Sequence, residues 1–178
     1  MSEIRVATRY AKSLIDLAIE RNELERVKQD IDLFIAATKA SSELVAVLKN
    51  PIVPIDKKLK IVRGLFGEQV NKTTQSFFDI VINKARAEVL HSTAIEFVNQ
   101  YNEKKNILKA KVVSATALND ASRAEIISIV EKATSKHVVL DEKVDAALIG
   151  GFLLTVGDKQ FDTSISKSLQ NLKKSFNN

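Results

Sequence analysis

Two histidines, a pair of glycines and a cluster of lysines are the places in this sequence where chemistry is most readily built. His91 follows Glu88 on a helix-periodic stretch, and His137 lies near Asp141 and Glu142, so each has an acid close by in the chain. A general base needs such an orienting neighbour, whereas a metal needs three or four donors converging, and these two histidines share no short motif. The sequence has no Cys, which removes disulfides, thiolate nucleophiles and thiolate-bound metals together. No serine sits in a Gly-x-Ser-x-Gly elbow, so a hydrolase triad has no local support. The sequence therefore points to no catalytic residue, no metal and no cofactor, and both histidines are expected at surface or half-buried structural positions.

Gly150-Gly151 is the best candidate for a phosphate loop, and it lacks the right context. Such a loop follows a strand and opens into a helix whose amides hold the anion. Here Phe152, Leu153, Leu154, Thr155 and Val156 come next and read as strand, and no Gly-Lys-Ser/Thr occurs. A bulge or a close backbone approach is the expected reason for the glycines. Lys57, Lys58, Lys60 and Arg63 form the densest basic cluster, interleaved with Leu59, Ile61, Val62 and Leu65, and read as a solvated helix face. The whole chain carries 27 basic and 22 acidic residues, net +5. Residues 1–105 hold 17 basic against 14 acidic, net +3, and residues 106–178 hold 10 against 8, net +2. An electrostatic footprint for nucleic acid would be concentrated in a stripe or tail, and the eight Phe are not interleaved with basic residues as a stacking platform requires. A basic nucleic-acid-binding protein is thus the alternative reading, resting on net charge alone.

The elements that must position anything functional follow from periodicity. At helical spacing stand Ala7, Tyr10, Ala11, Leu14, Leu17 and Ala18, then Leu24, Val27, Ile31, Phe34 and Ile35. A short helix over 43–48 ends at Asn50-Pro51, since proline lacks the amide donor and clashes with the preceding turn. A fourth helix is expected over about 56–65, closed by Gly64 and Gly67; a fifth carries Phe77, Phe78, Ile80, Val81 and Ile82, and a sixth Leu90, Ala94, Phe97 and Tyr101. Residues 1–105 thus read as a six-helix bundle. From residue 106 the pattern changes. Leu108, Ala110 and Val112 alternate with lysines, marking a half-buried strand. A helix capped by Asn119 or Asp120 follows, with Ile126, Ile127, Val130 and Ala133 inward. Strands at Val138–Leu140 and Leu148–Val156 come next, and then a hairpin at Gly157-Asp158 that sets Leu154 opposite Phe161 and Val156 opposite Lys159. A last helix would hold Ile165, Leu169, Leu172 and Phe176. Residues 106–178 are accordingly a small α+β domain, and the chain is mainly α.

Two helices carry more apolar surface than a core-facing stripe needs. Ile80, Phe77, Val81, Phe78 and Ile82 of the fifth cover an arc of roughly 200° against the roughly 100° that suffices, and the first helix, from Val6 and Leu17 round to Ile15, is similarly wide. Either both helices are central, or they leave an apolar groove for a partner's amphipathic helix.

The assembled residues resemble a known family. Ala7, Arg9, Tyr10, Ala11 and Leu14, the Leu48-x-Asn50-Pro51 break, Asn83-x-x-Arg86, Val138-x-Leu140, Val144-Asp145, Leu148-Ile149-Gly150-Gly151-Phe152 and Gly157-Asp158 are together similar to the delta subunits of F-type ATP synthases, the oligomycin-sensitivity-conferring protein family. Ala146 stands where that family often has proline, and Thr155 where a larger or charged polar residue is usual. The resemblance implies a non-catalytic peripheral-stalk, or stator, subunit of the rotary, proton-translocating enzyme. Its N-terminal bundle would bind the N-terminal helix of an alpha subunit, and its C-terminal domain the end of the b-subunit stalk. Mapped onto this chain, the implied groove residues are Tyr10, Ala11, Leu14, Phe78, Val81 and Ile82, while Asn83, Arg86, Asp145, Gly150, Gly151, Phe152, Gly157 and Asp158 carry the family pattern.

No apolar run approaches the roughly 20 residues of a membrane span, and the start, Met1-Ser2-Glu3-Ile4, lacks a signal-peptide layout. Membrane contact is expected only through the complex, on the cytoplasmic face.

Overall fold

The computed structural model describes residues 3–145, 148, 151–156 and 159–162. The chain is mostly helical with a small sheet, and it divides into two compact units, Met1–Asn102 and Glu103–Asn178. In chain order the helices are α1 (Glu3–Glu20), α2 (Leu24–Ala40), α3 (Ser42–Lys49), α4 (Ile55–Phe66), α5 (Lys72–Asn83) and α6 (Leu90–Lys104), with a 3-10 turn at Ala87–Val89 between the last two. The remainder runs β1 (Ile107–Ser114), α7 (Asp120–Thr134), β2 (His137–Val144), β3 (Phe152–Val156) and β4 (Lys159–Asp162).

In the helical unit the apolar spacing is used as the periodicity predicts. Ala7, Ala11, Leu14, Ile15 and Ala18 bury one broad face of α1, three of them alanines that let neighbours approach closely. Phe34 of α2 meets Phe78 of α5 at 5.0 Å between ring centroids and Phe66 of α4 at 5.4 Å, so three helices share one aromatic centre. Such tilted rings gain specific geometry beyond the area they bury. Ser41 caps α3 by accepting from the Leu44 amide, and Asn50 closes it, its Oδ1 accepting from Ile52 at 2.9 Å. The expected bounds of α4 hold to within a residue and Gly67 is its C-cap, but two details need correcting. Gly64 lies inside the last turn and does not close it, because Val62 and Phe66 both reach the core, and that burial outweighs the roughly 1 kcal/mol a helical glycine costs. Lys58 is not on a solvated face: it is buried, and its Nζ donates to the Leu48 carbonyl at 2.8 Å, satisfying a C-terminal oxygen of α3.

Polar contacts lock the helices in place. Asp30 of α2 is buried, and its Oδ2 accepts from the Asn71 amide at 2.8 Å and the Thr74 hydroxyl at 2.7 Å, while Arg26 stands 3.7 Å from Oδ1. The Asn71 side chain does not cap α5, so a carboxylate from another helix does that work where the helix dipole favours negative charge. Next to it Arg21 donates to Thr73, which donates to Glu23 at 2.7 Å; that hydroxyl holds the Glu23 carboxyl below its ordinary range. Tyr101 of α6 is buried and donates its hydroxyl to Glu25 of α2 at 2.6 Å. Desolvation first, and the Glu25 bond second, push the phenol up to about 12. A raised folded-state value means stability present below the ordinary value, near 10, and lost as pH rises towards about 12. Stability measured across that alkaline window should fall in the wild type and fall less in Tyr101→Phe, and tyrosinate absorbance should assign the late-ionising phenol to Tyr101.

In the second unit the sheet order is β2-β1-β3-β4, with β1 parallel to β2 and the other pairs antiparallel. The β3–β4 register places Leu154 opposite Phe161 and Val156 opposite Lys159, as the hairpin reading predicts. Asn119 is the α7 cap, its Oδ1 accepting from Ser122 at 2.7 Å. The core gathers Ala110, Val112, Val138 and Leu154 from the sheet with Ile126 and Val130 from α7. Arg123 of α7 grips Glu142 of β2 through Nε and Nη2, and this bond draws the Glu142 carboxyl down. The expected final helix with Ile165, Leu169, Leu172 and Phe176 lies outside the described residues, as do Gly150, Gly157, Asp158 and the side chain of Ala133.

Candidate partner-docking face

Five of the six residues expected to line the groove are inside the helical core. Ala11, Leu14, Val81 and Ile82 are 0% exposed and Phe78 is 1% exposed. They are in this position because the wide apolar arcs of α1 and α5 are mostly covered by neighbouring helices, the central-helix explanation of those arcs. Only Tyr10, half-buried, reaches the surface, and its ring stands edge-on to Phe77 of α5 with centroids 6.2 Å apart.

One apolar residue of α5 remains outside: Ile80 is 53% exposed. It lies one turn from Phe77 on the same face, since residues three apart are surface neighbours on a helix. On α1, Val6, Tyr10 and Ser13 form the corresponding row. Together with Arg9 and Arg86 they line a cavity of about 250 Å³. The candidate site is therefore a shallow cavity on α1 with Arg86 at its margin, its Tyr10 packed on the buried Phe77 of α5, and Ile80 the exposed apolar residue one turn along that helix. Ile80 and Phe77 belong to the arc the sequence marks out, but nothing in the sequence separates Ile80 from its buried neighbours.

Arg86 owes its place to the way α5 ends. The Arg86 amide donates to the Val81 carbonyl at 3.0 Å and the Ala85 amide to Ile82 at 2.9 Å, the paired bonds of a Schellman turn. This turn needs a left-handed residue, and Ala85 takes it with φ 57°. A Cβ is unfavourable there, so Ala85→Gly should raise stability by about 0.5–1 kcal/mol in a urea titration. Asn83 is exposed in the last turn of α5.

The other candidates stay apart. His91 is half-buried, and His137 is exposed, 3.7 Å from Glu131. Among the described residues no three His, Cys, Asp or Glu side chains are placed to share a metal ion. Several cations of the helical and sheet units are engaged by acids, Arg63 with Asp79, Lys28 with Asp32 and Arg123 with Asp120 and Glu142, which leaves the net charge without a basic stripe. In the sheet unit Gly151 has φ 79°, a left-handed conformation that explains a glycine there and opens no helix. Phe152 begins β3, and the Asp145 amide donates to Ser114 at 2.9 Å, continuing the β1–β2 edge. Among the described residues no helix is long and apolar enough to cross a membrane.

A family model described as ATP synthase delta (OSCP) subunit matches residues 6–176. The chain belongs to that family. Curated ATP synthase delta subunits agree: that of Cytophaga hutchinsonii is 41% identical over 99% of this chain and 96% of its own length, and that of Flavobacterium psychrophilum 33% identical over all of both. A chain in a cryo-EM structure of the Toxoplasma gondii mitochondrial ATP synthase hexamer, 22% identical, superposes with a TM-score of 0.71 over 97% of each chain and so shares the fold. The delta-family match gives no support to the nucleic-acid alternative.

Proposed function

We propose that this chain is the joint of the peripheral stalk, with the helical unit holding the catalytic head and the sheet unit holding the stalk. As a member of the delta (OSCP) family it is a non-catalytic peripheral-stalk component of the ATP synthase. The finer assignment is that the six-helix bundle takes the N-terminal helix of an alpha subunit across α1 and α5. The sheet unit takes the C-terminal end of the b subunit, and the assembly works at the cytoplasmic face of the membrane.

The observation that carries the reading is the exposed, apolar Ile80 one turn from Phe77 on α5, the residue on which the half-buried Tyr10 of α1 packs. An amphipathic helix laid there removes apolar surface from water at about 25 cal/mol per Å2, with no reaction required of the site. A stator has to resist torque, and a preformed helical face serves that better than a mobile loop, because little ordering is needed on binding. The groove residues implied by the family pattern, Ala11, Leu14, Phe78, Val81 and Ile82, then act from beneath by fixing the shape of the face.

Titrating a synthetic peptide of the alpha-subunit N-terminal segment into the full chain tests the head-binding half. Saturable binding that Ile80→Asp weakens at least tenfold is expected, the size of about 1.4 kcal/mol. Equal binding by both proteins, or none by the wild type, would remove this assignment.

A further inference from the structure

We propose that Arg86 reads a carboxylate on the docked helix, so that the α1–α5 face selects an amphipathic segment with an Asp or Glu at the edge of its apolar stripe. The proposal rests on the docking reading above and adds a recognition element to it.

Three observations carry it. The Arg86 guanidinium is exposed on the wall of the cavity it shares with Val6, Arg9, Tyr10 and Ser13, and it makes no hydrogen bond or ion pair among the described residues. The Tyr10 hydroxyl, lining the same cavity, likewise has no hydrogen-bond partner there. Arg9 stands on the same cavity wall, and Lys84 is two residues from Arg86, with Asp16 on α1 and Glu88 after the turn as the flanking acids.

The chemistry of the ligand follows. A guanidinium offers a planar fork of donors that matches a carboxylate in two parallel bonds, and a phenol hydroxyl adds a third donor. The backbone turn through Ala85 holds the base of Arg86 fixed, which lowers the ordering cost of the pairing. An apolar helix edge resting on Tyr10 and Ile80 would partly desolvate the pair and strengthen it relative to an open surface pair. A cationic edge gains nothing here and meets Arg86 with Arg9 on the same wall, so the site discriminates against it.

The test uses the full chain and the alpha-subunit N-terminal peptide by titration calorimetry. Arg86→Gln should weaken binding about tenfold and flatten its salt dependence, with Arg86→Lys in between, as expected for loss of one charge-assisted pair. A peptide whose edge acid is changed to Lys should bind the wild type poorly and Arg86→Glu better, the coupling that a double-mutant cycle isolates. Wild-type affinity in Arg86→Gln, with Ile80→Asp still defective, would overturn the carboxylate assignment and leave the docking face standing. Affinity unchanged in both variants, or no binding by the wild type, would remove the docking face and this inference with it.

Discussion

Val81→Asp and Ile80→Asp, one residue apart on α5, are expected to fail in different ways. Val81 is fully buried in the helical unit. An aspartate there has no partner and no water, and leaving such a charge uncompensated costs about 3–5 kcal/mol, enough to unfold much of a marginally stable unit. Ile80 is 53% exposed, and a carboxylate there stays hydrated, so its stability should lie within about 0.5 kcal/mol of wild type. Circular dichroism with urea titration separates the two: Val81→Asp loses helix or shifts its midpoint sharply, and Ile80→Asp keeps both. Loss of partner binding in Val81→Asp is then a consequence of unfolding, and only Ile80→Asp reports on the face itself. A stable, helical Val81→Asp would contradict the packing described for α5.

Asp30→Ala carries the second large effect. It deletes the acceptor for the amide of Asn71, which precedes α5, and for the Thr74 hydroxyl in its first turn, and leaves Thr74 buried without that bond. Two hydrogen bonds to a charged acceptor, with burial of the orphaned donors, amount to about 3 kcal/mol. Asp30→Asn keeps an acceptor oxygen without the charge and should lose less than half of this. Since Asp30 ties α2 to the start of the helix bearing Phe77 and Ile80, Asp30→Ala should also speed amide exchange at the first turn of α5 before the rest of the unit opens. Equal destabilisation by Ala and Asn would show that the charge contributes little.

Much of this architecture is legible in the chain itself, for identifiable reasons. The α1 heptad-like spacing, the Asn50-Pro51 stop and the Leu154–Phe161 pairing are local patterns, and each appears in the structure at its predicted place. What local pattern does not encode is which neighbour covers a residue. The five apolar residues of α5 look alike in sequence, and only the packing of α2 and α4 distinguishes Ile80 from Val81. Asp30 capping α5 joins residues 41 apart, and Lys58 reaching the Leu48 carbonyl turns an apparently solvated cation into a buried one. Gly64 reads as a stop only because the burial of Phe66 beyond it is a tertiary fact. The family pattern points to α1 and α5, and five of the six residues it names there are buried in the helical core.

The central claim, that this chain joins head to stalk, is tested most directly by bridging. Soluble b subunit is immobilised, purified catalytic heads are passed over it, and head retention is measured without the chain, with the wild type and with Ile80→Asp. The account predicts retention only with the wild type, while Ile80→Asp itself stays bound to b but brings down no head. Heads retained equally without the chain, or not retained when folded wild-type chain is present, would contradict it.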